Sequence, residues 1–222
     1  MNTESCWYKK VCTNENCNEN CIRYKLMKSL FSQSQLPEVR WNYVDLVANV
    51  YGDAIVFQRL SEISYNIVDH VKSGSNLYLF SENCGNGKTS WAIRLMYSYF
   101  DRIWHKSCFD CKALYVDVPK FLYNCKQSIS IEIKGFDDFC ALIPTVDLVI
   151  WDDIGVSKIT DFEHQILFRY IDERISGGKS NIYTSNKNKQ GLAEVVGDRL
   201  TSRIYNCSQV FEFVEKDKRG VY

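Results

Sequence analysis

Apolar residues along this chain fall into two alternating patterns: short unbroken runs, and longer stretches where they recur three and four apart. The unbroken runs are residues 77–80 (LYLF) and 148–151 (LVIW), and three short segments mix apolar with polar residues: 113–118 (ALYVDV), 180–185 (SNIYTS) and 211–214 (FEFV). Runs this short, bounded by Gly, Pro, Asn or Asp, predict strands, and the wholly apolar ones predict strands covered on both faces. Helical spacing spans 53–71 through Val56, Leu60, Ile63 and Ile67, with Ser73 and Gly74 as its stop. It returns over 89–103 through Ala92, Leu95, Met96, Tyr99 and Phe100, and over 161–175 with Leu167, Tyr170 and Ile171 inward and Gly177 and Gly178 at the end. Two more helical stretches are expected, one after Pro119 and one from Gly135, Phe136 and Asp137 to near Pro144. Strands alternating with helices at these lengths predict βαβ units and an α/β fold with a parallel sheet flanked by helices.

Ahead of this array the pattern changes. Residues 22–30 predict a short basic amphipathic helix with Arg23, Lys25 and Lys28 on its polar side, and FSQSQLPEVRW then breaks it at Ser32, Ser34 and Pro37. A boundary is expected there, with a small N-terminal module and linker over 1–36 and the main domain over 37–222. The 222 residues, 45% hydrophobic, suffice for one full α/β core plus a small extra module. With 27 basic and 27 acidic residues the net charge is zero, so contact with nucleic acid would need a local patch and not a global field. No apolar run approaches the ~20 residues that span a bilayer, and the first residues lack a signal-peptide core, so a cytoplasmic protein without membrane association is expected.

Chemistry enters where the run at 77–80 stops. The next residues read SENCGNGKTS, and the helix of 89–103 follows. Strand, glycine loop and helix form the context of a phosphate loop: Gly85 and Gly87 let successive N–H groups curl around phosphate oxygens at the positive end of a helix. Lys88 would reach the β and γ phosphates and Thr89 would place its hydroxyl on Mg²⁺. The residues expected to hold ATP are therefore Asn83, Cys84, Gly85, Asn86, Gly87, Lys88, Thr89 and Ser90. Against the pattern G-x-x-x-x-G-K-[ST] there is one departure, Glu82 in place of the first glycine.

A second motif, VDLVIWDDIG, ends the run at 148–151 with Asp152 and Asp153. A carboxylate at the tip of a central strand beside a phosphate loop suits Mg²⁺, and the next carboxylate suits polarisation of an attacking water. Asn186 follows the run at 180–185; its amide suits either the water and the γ phosphate or a simple turn. Arg199 and Arg203 lie four apart on one helical face, either reaching a neighbour's site or forming a solvated basic face.

Ten cysteines in a reducing compartment point to metal ligands and buried thiols before disulfides. Cys6, Cys12, Cys17 and Cys21 lie within sixteen residues, separated by five, four and three residues. Four thiolates in a segment too short to fold alone suit a structural Zn²⁺, with an iron–sulfur cluster or free thiols as alternatives. Cys108 and Cys111, near His105, read as a metal or redox half-site or as two loop cysteines. Cys84, Cys125, Cys140 and Cys207 read as small apolar fillers.

Over residues 40 to 222 the chain resembles the AAA+ ATPases of the DnaC/DnaI helicase-loader family, close relatives of the IstB transposition ATPases. The pieces that carry the likeness are SENCGNGKTSWA, LVIWDDIGV, IYTSN, GDRLTSRI and FEFVEKDKRG, in the family's order and at its intervals. The resemblance implies that Lys88 and Thr89 are Walker A, Asp152 and Asp153 Walker B, Asn186 sensor 1, Arg203 or Arg199 the arginine finger, and Arg219 sensor 2. It further implies ATP and Mg²⁺ as cofactors, slow ATP hydrolysis and self-association through the ATP site. A hexameric replicative helicase and single-stranded DNA are the partners it implies, with the cysteine module docking on the helicase. The alternative within the same fold is an IstB-like ATPase that delivers a transposase to DNA; one from another class is a nucleotide-dependent adaptor that does not hydrolyse ATP and whose GNGKT only cements an oligomer. The chain ends eight residues after Val214, so no C-terminal lid is expected.

Overall fold

The structure, a computed structural model, describes residues 6, 12, 20–41, 52–83 and 85–215. The expected zinc ligand Cys17, the loop residue Cys84 and the sensor candidate Arg219 lie outside them, as does the stretch that bears on a C-terminal lid. Among the described residues five strands form one sheet: β1 (Asn76–Phe80), β2 (Ala113–Asp117), β3 (Leu148–Asp152), β4 (Ser180–Ser185) and β5 (Ser208–Glu212). Their spatial order is β2-β3-β4-β1-β5 and every pair is parallel.

The central strands β1, β3 and β4 are buried on both faces, which is why LYLF and LVIW read as apolar runs, whereas Gln209, Val210 and Glu212 of the edge strand β5 are exposed. Leu77, Leu79, Tyr115, Ile150, Ile182 and Phe211 face one core, with the helices α1 (Ile22–Gln33), α2 (Ala54–Tyr65), α3 (Ile67–Lys72) and α4 (Lys88–Ile103). Tyr78, Phe80, Leu114, Val116, Val149, Trp151 and Tyr183 face the other. That side is closed by α5 (Val118–Gln127), α6 (Phe136–Leu142), α7 (Asp161–Ser176), α8 (Lys189–Val196) and α9 (Asp198–Asn206). Arg174 of α7 is fully buried and donates to the carbonyls of Ile143, Val146 and Ser180 and to Asn181 Oδ1, at 2.6 to 2.9 Å. It thereby pins the starts of β3 and β4 to α7.

The structure departs from the sequence expectations in three places. The helix expected over 53–71 is two, because Asn66 turns its N–H and side-chain amide back to the Glu62 carbonyl while its own carbonyl accepts from Asp69 and His70. Helix α8, capped by the Asn188 side chain on the Gly191 N–H, was not expected. β5 begins earlier than the run at 211–214, though Phe213 N–H still donates to the Phe80 carbonyl. Helix α1 packs on this core: Met27, Leu30, Phe31 and Leu36 are buried with Leu77 and Leu95, and Arg23 of α1 pairs with Asp101 of α4 at 2.8 Å.

Candidate functional site: a phosphate loop facing two aspartates

In the order β2-β3-β4-β1-β5, β4 lies between β1 and β3, so chain connections diverge at this point of the sheet. Open α/β sheets present a crevice there, outside the carboxyl ends of the strands. The loop after β1, the aspartates ending β3 and Asn186 after β4 all emerge on that edge.

The loop is tied down by its own asparagines. Ser81 is buried and its hydroxyl accepts from the Asn83 N–H at 3.1 Å and from Asn86 Nδ2. Asn86, 1% exposed, also donates to the Phe213 carbonyl, and Asn83 Nδ2 donates to the Val214 carbonyl at 3.3 Å. The end of the sheet thus holds both ends of the loop. Gly87 closes it at φ 98°, where a Cβ would meet nothing within 4 Å, so the left-handed turn borders open space. The 16-residue helix α4 starts immediately after, and its first-turn amides offer donors to an anion. Ser90 lies half-buried in that first turn.

Lys88 is buried, and its ammonium donates to the Asn83 carbonyl and to Asn86 Oδ1, both at 3.1 Å. Those oxygens occupy donors that a phosphate would claim. The Thr89 hydroxyl donates to Asp152 Oδ1 at 2.8 Å, joining the loop to the tip of β3. Asp152 is 5% exposed and takes two further hydroxyls, Thr184 on Oδ1 at 2.6 Å and Tyr115 on Oδ2. Asp153, the next residue, has φ 58°, a strained value for a non-glycine, and its N–H donates to Thr184 Oγ1 at 2.9 Å. Burial, with Asp152 and Asp117 beside it, raises the Asp153 pKa above the ordinary carboxylate range, while Lys88 and Arg40 oppose the rise. A hydroxyl and a carboxylate held together beside an open glycine loop form a donor set of the kind that takes Mg²⁺ with a nucleotide, so the residues present fit Mg²⁺ and ATP.

Glu82, the departure from the loop pattern, is exposed and accepts from Asn188 Nδ2 at 2.9 Å, bridging the loop to the cap of α8. Asn186 is half-buried directly after β4, whose last residue Ser185 is in register with Phe80. Arg199 and Arg203 are not gathered with this cluster. Arg203 pairs with Asp172 at 2.6 Å and reaches Ser176 Oγ at 2.9 Å, both on α7, while the exposed Arg199 guanidinium lies 4.2 Å from the centre of the Phe168 ring. Thr184, Tyr115 and Arg40 were missed by sequence reasoning; the first stands in the TSN motif, but the other two carry no local signal. A separate open cleft of about 580 Å³, lined by Arg59, Glu62, His70 and Gln209 among others, includes no residue of the loop.

Of the cysteine cluster, Cys6 is half-buried against the main core, Cys12 is exposed and Cys21 is half-buried just ahead of α1. Among the described residues no three His, Cys, Asp or Glu side chains are grouped to hold a metal. Cys111 donates to the carbonyls of Ala113 and Gln33, and burial pushes its thiol up to about 11, the behaviour of a structural loop cysteine. Cys125 is a core thiol, as expected, pushed up to about 12 by burial. Cys207, expected as an apolar filler, is exposed where α9 turns into β5. Among the described residues no helix is long and apolar enough to cross a membrane.

No protein-family model matches the chain, and no curated protein matches it in sequence. Solved structures do. The DnaC helicase loader superposes with a TM-score of 0.66 at 16% identity, over 80% of this chain and 99% of that one. A structure described as a candidate primosome component from Streptococcus pyogenes serotype M3 gives 0.66 at 17%, over 86% and 98%. DnaI gives 0.64 at 17%, over 83% and 95%. The replication initiator DnaA, bound to AMPPCP and single-stranded DNA, gives 0.59 at 18%, over 75% of this chain and 48% of that one. The fold is therefore the one shared by the DnaC and DnaI structures.

Replacing Lys88 tests the loop directly. Lys88→Ala removes the buried ammonium, and binding of a fluorescent ATP analogue in the presence of Mg²⁺ is expected to fall at least a hundredfold, equivalent to about 3 kcal/mol for a lost charge-assisted contact. Equal affinity in wild type and variant would remove the loop from the account.

Proposed function

We propose that the chain is an ATP-dependent loader of a hexameric replicative helicase, and that it binds and hydrolyses ATP while delivering the helicase onto DNA. The observation that carries this reading is the convergence of Lys88, Thr89 and Asp152 on a fold shared with the DnaC helicase loader over nearly all of that chain. Lys88 and the loop amides would hold the phosphates, and Thr89 with Asp152 would hold Mg²⁺, which supplies charge neutralisation at the transferred phosphate. Asp153 would accept a proton from the attacking water; Asn186, at the same sheet edge, would orient that water. Arg219 is the candidate sensor for the bound state.

Self-association through the ATP site follows from Arg203 acting in trans. Its present pairing with Asp172, with both side chains more than a third exposed, is worth about 1 kcal/mol or less. A guanidinium fork placed on a neighbour's phosphates typically contributes about 10³ to 10⁵ in turnover, so exchanging one partner for the other is energetically easy. The cysteine segment ahead of α1, as a Zn²⁺-stabilised module, would contact the helicase, and single-stranded DNA would align protomers.

Two experiments test the reading. Affinity capture from the native host, with ATP present, should recover a replicative helicase with the wild-type chain and lose it with Lys88→Ala; recovery of a transposase instead points to delivery of that enzyme. For the arginine, Arg203→Ala and Asp153→Ala should each be inactive alone, yet a mixture should regain partial turnover, since some interfaces pair an intact carboxylate with an intact arginine. A mixture as inactive as its components places Arg203 in cis.

A further inference from the structure

Tyr115 and Arg40 stand outside the phosphate loop, yet both reach its metal side. Tyr115 lies in β2, where Asp117 is in register with Asp152 of β3. Its phenol donates to Asp152 Oδ2. The phenol oxygen in turn accepts from Arg40 Nη1 at 3.3 Å, with the guanidinium 6.0 Å from the centre of the ring. Guanidinium to hydroxyl to carboxylate is a chain in which each bond polarises the next in the same sense.

Arg40 is carried there by residues 34–41, which run beside the outer edge of β2. The Ser34 carbonyl accepts the Tyr115 N–H at 2.7 Å, which satisfies a backbone donor on the side of β2 that has no neighbouring strand among the described residues. The segment also closes on itself: the Trp41 indole N–H donates to the Leu36 carbonyl at 2.8 Å, and its ring stacks on Phe31 of α1 at 5.8 Å. Between these points Pro37 opens a 3₁₀ turn, Glu38–Arg40. Tyr115 is thus held at its backbone and at its hydroxyl by one short segment that is itself fastened to α1.

We propose that Arg40 and Tyr115 are positioning residues for Asp152, and that residues 34–41 thereby couple α1 to metal binding at the nucleotide site. The proposal rests on the reading of that site as one for Mg²⁺ and ATP. Asp152 Oδ1 takes hydroxyls from Thr89 and Thr184, and Oδ2 takes that of Tyr115. When a cation claims the Thr89 hydroxyl, Thr184 and Tyr115 are left to orient the carboxylate. Outer partners of this kind set the geometry a metal meets, and their loss typically costs about 10- to 100-fold in metal affinity. A partner that pulls on the chain ahead of α1 would draw Ser34 and Arg40 off Tyr115 and weaken the metal site without touching it.

Tyr115→Phe keeps the ring and removes the hydroxyl, and Arg40→Ala removes the donor behind it. With the full chain, binding of a fluorescent ATP analogue is titrated against Mg²⁺ and measured separately in EDTA. The Mg²⁺ concentration at half-saturation should rise about tenfold in Tyr115→Phe, the low end for an outer partner, and by less in Arg40→Ala, with the affinity in EDTA unmoved in both. The double variant should match Tyr115→Phe, because the two residues act in series. An unchanged Mg²⁺ requirement in both single variants overturns the proposal. Additive losses also overturn it, since they give Arg40 a role of its own, as do equal losses with and without Mg²⁺, which report a general defect. If the wild type binds no analogue under either condition, the nucleotide reading fails first and takes the proposal with it.

Discussion

The carboxylate of Asp152 is the group on which the arrangement of this site depends. It is 5% exposed, and a charge so far from water is tolerated only when its lone pairs are matched by donors. Three hydroxyls match them, and each comes from a different element: Thr89 from α4, Thr184 from β4 and Tyr115 from β2. Hydrogen bonds to a charged group are worth about 1.5 to 3 kcal/mol each, so moving any of these elements away from the tip of β3 strands part of the charge. The first turn of α4, and with it Lys88, is therefore registered against the sheet by electrostatics as well as by packing. The same bonds make the site responsive, because Thr89 can exchange its carboxylate for a cation while Thr184 and Tyr115 keep the carboxylate in place.

Around this point the sheet supplies rigidity and the loop supplies adaptability. The strands β1, β3 and β4 are buried between helices on both faces, and the buried guanidinium of Arg174 fastens β3 and β4 to α7. Asn83 and Asn86 hold the loop through Ser81, Phe213 and Val214 while their oxygens occupy Lys88. A phosphate that displaces those oxygens gains a preformed ammonium and leaves the asparagine donors attached to the sheet. The N-terminal helix belongs to the same body, since Phe31 packs on Phe100 and Tyr97 of α4 as well as on Trp41.

Much of this was legible in the sequence because the signals were local. The strand at 180–185 and the helix following Gly87 are where the segment lengths and their stops put them, and GNGKT and DD pointed to Thr89 and Asp152, which share a hydrogen bond. What the sequence concealed depends on contacts between distant segments. Arg40 sits in a stretch whose serines and proline read as linker, and only the fold brings it to Tyr115, 75 residues away. Tyr115 itself lies inside an apolar run, where a hydroxyl has no periodicity to betray it. Arg174 looks like one more polar residue on an amphipathic helix, and the carbonyls that bury it come from residues on other elements. Asn66 divides a helix that apolar spacing alone carries straight through, because its side chain competes for the backbone in a way that spacing does not register.

If the loop and the Asp152 carboxylate form one site for ATP and Mg²⁺, Lys88 and Thr89 leave their present partners on binding. A crystal structure of the chain with a non-hydrolysable ATP analogue and Mg²⁺ tests this. Lys88 Nζ is expected on phosphate oxygens and no longer on the Asn83 carbonyl, Thr89 Oγ1 on the metal, and Asp152 still bonded by Tyr115 and Thr184. A structure in which the analogue lies elsewhere, while Lys88 keeps Asn83 and Asn86 and Thr89 keeps Asp152, would contradict it.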